Sequence, residues 1–239
     1  METRILNCDR DMVENPFARI ILGQKEYLAP LIYGSENEGA IDIRELRRNT
    51  GFITFDPGYA NTGSCKSSIT FIDEEGILRY RGIPIEDLAG RATFLEVSYL
   101  LINGFLPDES QLKSFEAEIQ RRMALHEDLK NQFHVYPRDA HPMAILASTV
   151  ASMAAFYSDE LDAGEEKNYL HCIRLIAKFP TIAAYSFKKS IGHPFMYPRR
   201  DLSYCENFLH LMFSHPSCEY EILPEVVEAL DLLFILHAD

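Results

Sequence analysis

At 239 residues, 47% of them hydrophobic, the chain is long enough to bury one substantial core. Its 36 acidic and 23 basic side chains leave a net charge of -13, which repels phosphate backbones and excludes nucleic acid as the expected main partner. No run approaches the roughly 20 apolar residues of a membrane span, and the opening METRILNCDRDMVENPF carries acids where a secretory signal is apolar, so a cytoplasmic protein without membrane association is expected.

Residues 1–50 hold short apolar runs, Ile20–Leu22 and Tyr27–Tyr33, broken by Pro30, Gly34 and Gly39; these read as loops and short strands. FITF (Phe52–Phe55) is β-rich, and SITFID (Ser68–Asp73) with ILRYR (Ile77–Arg81) flanks a D-E-E-G turn, which predicts a hairpin. From Pro84 onward the period becomes helical. Thr93 and Glu96 form a T-x-x-E capping box before FLEVSYLLIN, with Gly104 placed to stop that helix, and Asp108 with Gln111 starts another that reaches about Met123. Pro142 suits the first position of MAILASTVASMAAFY, and further helices are expected over about 165–178, 181–190, 202–214 and 224–237, with Pro180 separating the first two. The fold class is therefore mainly α, with a small β-rich N-terminal region over 1–82 and a helical domain over 83–239.

Signals for ligands are sparse. The five cysteines, Cys8, Cys65, Cys172, Cys205 and Cys218, are odd in number and lack C-x-x-C spacing, and no histidine set has zinc-ligand spacing, so no metal is expected. Serine-hydrolase, P-loop and dinucleotide-fold glycine motifs are absent. Between Arg174 and Arg200, however, six cations stand without an acid, leaving -19 for the remainder of the chain. Lys167, His171, Arg174 and Lys178 share one helix face, where like charges repel. Two readings stay open: a solvated face with acidic partners elsewhere, or an anion site that offsets the repulsion through charge-assisted hydrogen bonds.

FDPGYANTGSCKSSITFID (Phe55–Asp73) is similar to the citrate synthases, and the similarity continues in order through EGILRYRGIPIEDLA (Glu75–Ala89), RDAHPMA (Arg138–Ala144), SIGHPFMYPRRDLSY (Ser190–Tyr204) and ILHAD (Ile235–Asp239). With its β-rich start the chain resembles the larger, NADH-regulated bacterial form, usually a hexamer built from dimers. The resemblance implies a citrate-synthase-like large domain, partial in extent, and an acyltransferase that condenses acetyl-CoA with oxaloacetate to citrate and CoA in the tricarboxylic acid cycle, without metal or bound cofactor.

The same resemblance implies that His237 is the first of two histidines near the oxaloacetate pocket, and that the catalytic histidines, aspartate and carboxylate-clamping arginines lie further along the family pattern than Asp239. We expect the polypeptide to be an N-terminal portion of such an enzyme, inactive alone. Arg121, Tyr157, Arg174 and Lys178 match positions that hold the NADH effector in regulated members, so an allosteric anionic-nucleotide site is expected there. His193 stands for the family glutamine and Arg200 for an asparagine, while Ser217 replaces a cysteine; these departures leave the choice of nucleotide open. The alternatives are 2-methylcitrate synthase, which differs in the acyl pocket, and a non-catalytic helical regulatory subunit that pairs with a separate C-terminal half.

Overall fold

The computed structural model describes residues 17–34, 38–73, 76–157 and 164–239. The chain divides into two compact units, Met1–Ser67 and Ser68–Asp239.

In the first unit an antiparallel sheet of order β1-β2-β3 is built from β1 (Phe17–Leu22), β2 (Lys25–Tyr33) and β3 (Gly39–Ile41). The β1–β2 turn begins at Gly23, whose φ of +65° suits glycine. Pro30 stands in the middle strand opposite Phe17, the first residue of β1, so its missing N–H weakens the ladder only at its end. A short helix, α1 (Leu46–Thr50), follows. The FITF run after it is not a strand: Phe52, Ile53 and Phe55 lie exposed in irregular chain, because no neighbouring strand accepts their backbone.

The second unit opens with the expected hairpin. β4 (Thr70–Ile72) pairs with β5 (Leu78–Tyr80), which pairs with β6 (Ile83–Pro84), all antiparallel. Glu74 and Glu75 of the predicted turn lie outside the described residues. Tyr80, fully buried, joins Leu88, Val97, Leu100 and Ile235 in one core cluster, so these strands pack into the helical body, ahead of the change in sequence period.

Among the described residues the body contains α2 (Ile85–Leu88), α3 (Phe94–Asn103), α4 (Glu109–Arg122), α5 (Glu127–Val135), α6 (Pro142–Phe156), α7 (Glu165–Ile191), α8 (Tyr204–Phe213) and α9 (Pro224–Leu236). Both predicted capping boxes are formed, and a third, Ser203 with Glu206, starts α8. The sequence reading passed over α5, whose cap is not a standard one: the imidazole Nδ1 of His126 accepts the Asp128 N–H at 3.1 Å.

The expected break at Pro180 does not occur. α7 runs unbroken for 27 residues because the carbonyl that Pro180 leaves without its helical donor, Ile176, accepts the Tyr204 hydroxyl at 2.9 Å instead. Helices α4, α5, α6 and α8 all pack on α7, whose inward face carries Ile173, Ala177, Ile182, Ala184 and Tyr185 into two core clusters.

Candidate functional site

His237 is the C-cap of α9, so its surroundings follow from how that helix ends. The last carbonyls of a helix lack intrahelical donors. Here each of three finds one: Leu233 accepts from His237 Nδ1 at 2.8 Å, Phe234 from the His237 N–H at 3.2 Å, and Ile235 from both the Tyr80 hydroxyl at 3.0 Å and the Ala238 N–H at 3.3 Å. A carbonyl oxygen only accepts, so Nδ1 carries the proton. The exposed imidazole therefore presents Nε2 as a bare nitrogen, able to accept a hydrogen bond or a proton.

Two further contacts tie α9 down. The Asp239 carboxylate accepts from the Thr70 hydroxyl, and both Asp231 oxygens accept the Phe94 N–H at 3.1 Å, placing a carboxylate at the positive end of α3. The buried Cys205 thiol also donates to Asp231 at 3.4 Å; burial, then the adjacent carboxylate, raises its pKa and keeps it an unreactive thiol. A cavity of about 730 Å³ opens beside this junction, lined by Thr93, Glu116, Tyr204, Glu228 and Leu232 among others.

The second candidate region is the basic stripe. Tyr157 ends α6, and the Arg174 guanidinium lies 4.0 Å from its ring centroid with Lys178 Nζ at 5.5 Å. The stripe is not a solvated face at these positions, for Arg174 and Lys178 are only 7% and 4% exposed. Lys178 donates to the carbonyls of Arg122, at 2.9 Å, and Ala124, where α4 ends. Burial, together with the Arg174 and Arg122 charges, lowers its pKa to about 8.

Arg121 stands at the same end of α4 but is ion-paired with Glu118, which also binds Arg122. His193 follows Gly192, the C-cap of α7, which puts it on the order of 20 Å along the helix from Lys178. His193 meets the His215 ring at 5.5 Å in an edge contact, and Arg200 is exposed in the loop before α8, beside an Arg199 that pairs with Asp201 and Glu219. The structure thus gathers Tyr157, Arg174 and Lys178, and leaves Arg121, His193 and Arg200 around them.

The sequence reading missed what the other cations do. Lys188, fully buried, donates to the Ser214 carbonyl at the end of α8; Lys189 donates to His134 at the end of α5 at 3.2 Å; Arg81 donates to Leu101 in the last turns of α3 at 2.5 Å. With Lys178 on α4, four helix C-termini receive a cation from another element, the sign the helix dipole favours. Among the described residues no group of three His, Cys, Asp or Glu side chains converges to hold a metal ion.

Residues 58–239 match the family described as citrate synthase, C-terminal domain. The chain is 53% identical over 211 residues to citrate synthase 1 of Mycobacterium tuberculosis, covering 87% of this chain and 49% of that protein. It is 48% identical over 235 residues to the citrate synthase of Corynebacterium glutamicum, covering 97% of this chain and 54% of that protein. The chain spans about half the length of the curated relatives it matches. Solved structures resemble it as well. Citrate synthase from Pyrobaculum aerophilum superposes with a TM-score of 0.68 at 33% identity, over 80% of this chain and 50% of that one. Thermoplasma acidophilum citrate synthase, in ternary complex with carboxymethyl coenzyme A and oxaloacetate, gives a TM-score of 0.68 at 25% identity, over 74% and 45%. On the fold, the ordered motifs and these matches together, this chain belongs to the citrate synthase family.

Proposed function

We propose that the polypeptide supplies the scaffold and one pocket histidine of a cytoplasmic citrate synthase, which condenses acetyl-CoA with oxaloacetate to citrate and CoA. The family match across residues 58–239 carries this reading. In it, His237 is an oxaloacetate-pocket residue whose bare Nε2 faces the substrate, while the base, the acid and the arginine clamps are supplied by family positions that follow Asp239 in the pattern. Loss of a general base alone lowers rate by about 10²- to 10⁴-fold, and loss of substrate clamps removes positioning besides. The purified 239-residue chain given both substrates is therefore expected to release no CoA above the uncatalysed rate; robust turnover by this chain alone contradicts the reading.

The working enzyme is a homo-oligomer in this proposal, a dimer or a hexamer built as a trimer of dimers. Leu175, Phe179, Phe187 and Ile191 on α7, with Met143 and Phe156 on α6, support it as apolar residues at least one-third exposed. Sedimentation is expected to give a species larger than a monomer, and a sharp monomer removes that element.

Tyr157, Arg174 and Lys178 supply an aromatic face and two cations, which favour an anionic nucleotide effector such as NADH or ATP. Calorimetric titration with each nucleotide is expected to show binding that weakens with salt and falls at least about tenfold in Arg174→Ala, in keeping with a charge-assisted contact. A folded sample that binds neither nucleotide removes the effector site.

A further inference from the structure

We infer that Tyr80, carried on the β4–β5 hairpin, is a positioning residue for His237: its phenol closes the last turn of α9, so that the imidazole leaves the helix in one tautomer and one direction. The inference rests on the proposed role of His237 at the oxaloacetate pocket. Local groups close that turn only through His237 and the Ala238 N–H, the latter at 3.3 Å. The helix has no C-terminal glycine, and His237 caps in a non-helical conformation, φ -121° and ψ 23°. The shorter bond to Ile235 comes from 155 residues away in the chain, where Tyr80, with no exposed surface, donates to the Ile235 carbonyl at 3.0 Å. Burial raises the phenol above its usual range, against the opposing pull of the Ala238 and Asp239 amides that face its oxygen.

The hairpin grips the turn at a second point, Thr70 to Asp239, on the strand paired with Tyr80 itself through the Thr70↔Tyr80 register. His237 lies between these two anchor points, two residues after Ile235 and two before Asp239. Its own bond to Leu233 requires the turn to keep its shape. Remove the phenol hydroxyl and a buried carbonyl loses its strongest donor while the ring still fills the core. The last turn then opens more often, and the imidazole exchanges between tautomers.

The test compares the wild-type chain with Tyr80→Phe, following backbone amide exchange and the imidazole nitrogen signals of His237. One lost hydrogen bond predicts roughly five-fold faster exchange at His237 and Ala238. It also predicts a mixed tautomer population at His237, with exchange in α4 and α7 unchanged. A Tyr80→Phe chain that keeps wild-type exchange and a single His237 tautomer overturns the inference. If Tyr80→Phe does not fold, Thr70→Val, which alters an exposed contact, takes its place: a smaller change in the same signals supports the inference and no change overturns it. Neither readout involves substrate, so the result stands apart from the oxaloacetate reading.

Discussion

Histidine closes helices at both ends in this protein, and the proton sits on opposite nitrogens. At the starts of α5 and α6, His126 and His141 accept backbone N–H groups on Nδ1, at 3.1 and 3.2 Å, so the proton of the neutral ring lies on Nε2. At the end of α9, His237 donates from Nδ1 to a carbonyl, so Nε2 is bare. The unsatisfied backbone groups decide it: donors at the N-terminus call for an acceptor, carbonyls at the C-terminus for a donor. The ends of α3, α4, α5 and α8 are closed instead by an arginine or a lysine from elsewhere, which can only donate. Of these C-terminal closures, the one by His237 leaves a bare ring nitrogen able to accept from a ligand.

The comparison breaks first at Lys188. Lys188→Ala leaves both a cavity and an orphaned Ser214 carbonyl, and should lower unfolding free energy by about 3 kcal/mol in denaturant titration. Lys188→Met, which fills the space, should lose less; equal losses show that packing does not contribute. Next is Tyr204→Phe, expected to lose about 1.5 kcal/mol because Pro180 cannot supply the Ile176 carbonyl with its i+4 N–H. Pro180→Ala restores the backbone N–H, so in that background the loss at Tyr204 should shrink, a coupling that a double-mutant cycle reads directly. His141→Ala removes an N-terminal acceptor and should cost about 1 kcal/mol, whereas His141→Asn should retain most of the stability.

The remaining effect is a slope. Lys178 binds its proton less tightly in the folded chain, with a pKa of about 8 against 10.5. Between those values the unfolded chain holds more protons, so this group makes stability rise with pH there. Subtracting the stability-versus-pH curve of Lys178→Met from that of wild type should show a rise across pH 8 to 10.5, and a flat difference contradicts the buried ammonium.

Much of this was legible because it is local. Thr93 with Glu96, Asp108 with Gln111, Gly104 and Pro142 act within a few residues, and each closes the helix end its spacing predicted. What escaped reading is long-range. Pro180 breaks a helix unless a hydroxyl replaces the lost donor, and that hydroxyl belongs to Tyr204, 28 residues beyond the Ile176 carbonyl it serves. The partners of Lys178, Lys188 and Lys189 could not be read because they are backbone carbonyls 26 to 56 residues away and carry no side-chain signature. His237 was identified by its motif, but the proton on Nδ1 depends on where the α9 turn ends, which spacing does not give.

The imidazole nitrogen spectrum of the wild-type chain, recorded above the titration range of histidine, tests the assignment most directly. The account predicts protonated Nε2 for His126 and His141, and protonated Nδ1 with a bare Nε2 for His237. A His237 that carries its proton on Nε2 contradicts it, because the nitrogen proposed to face substrate would then no longer be free to accept.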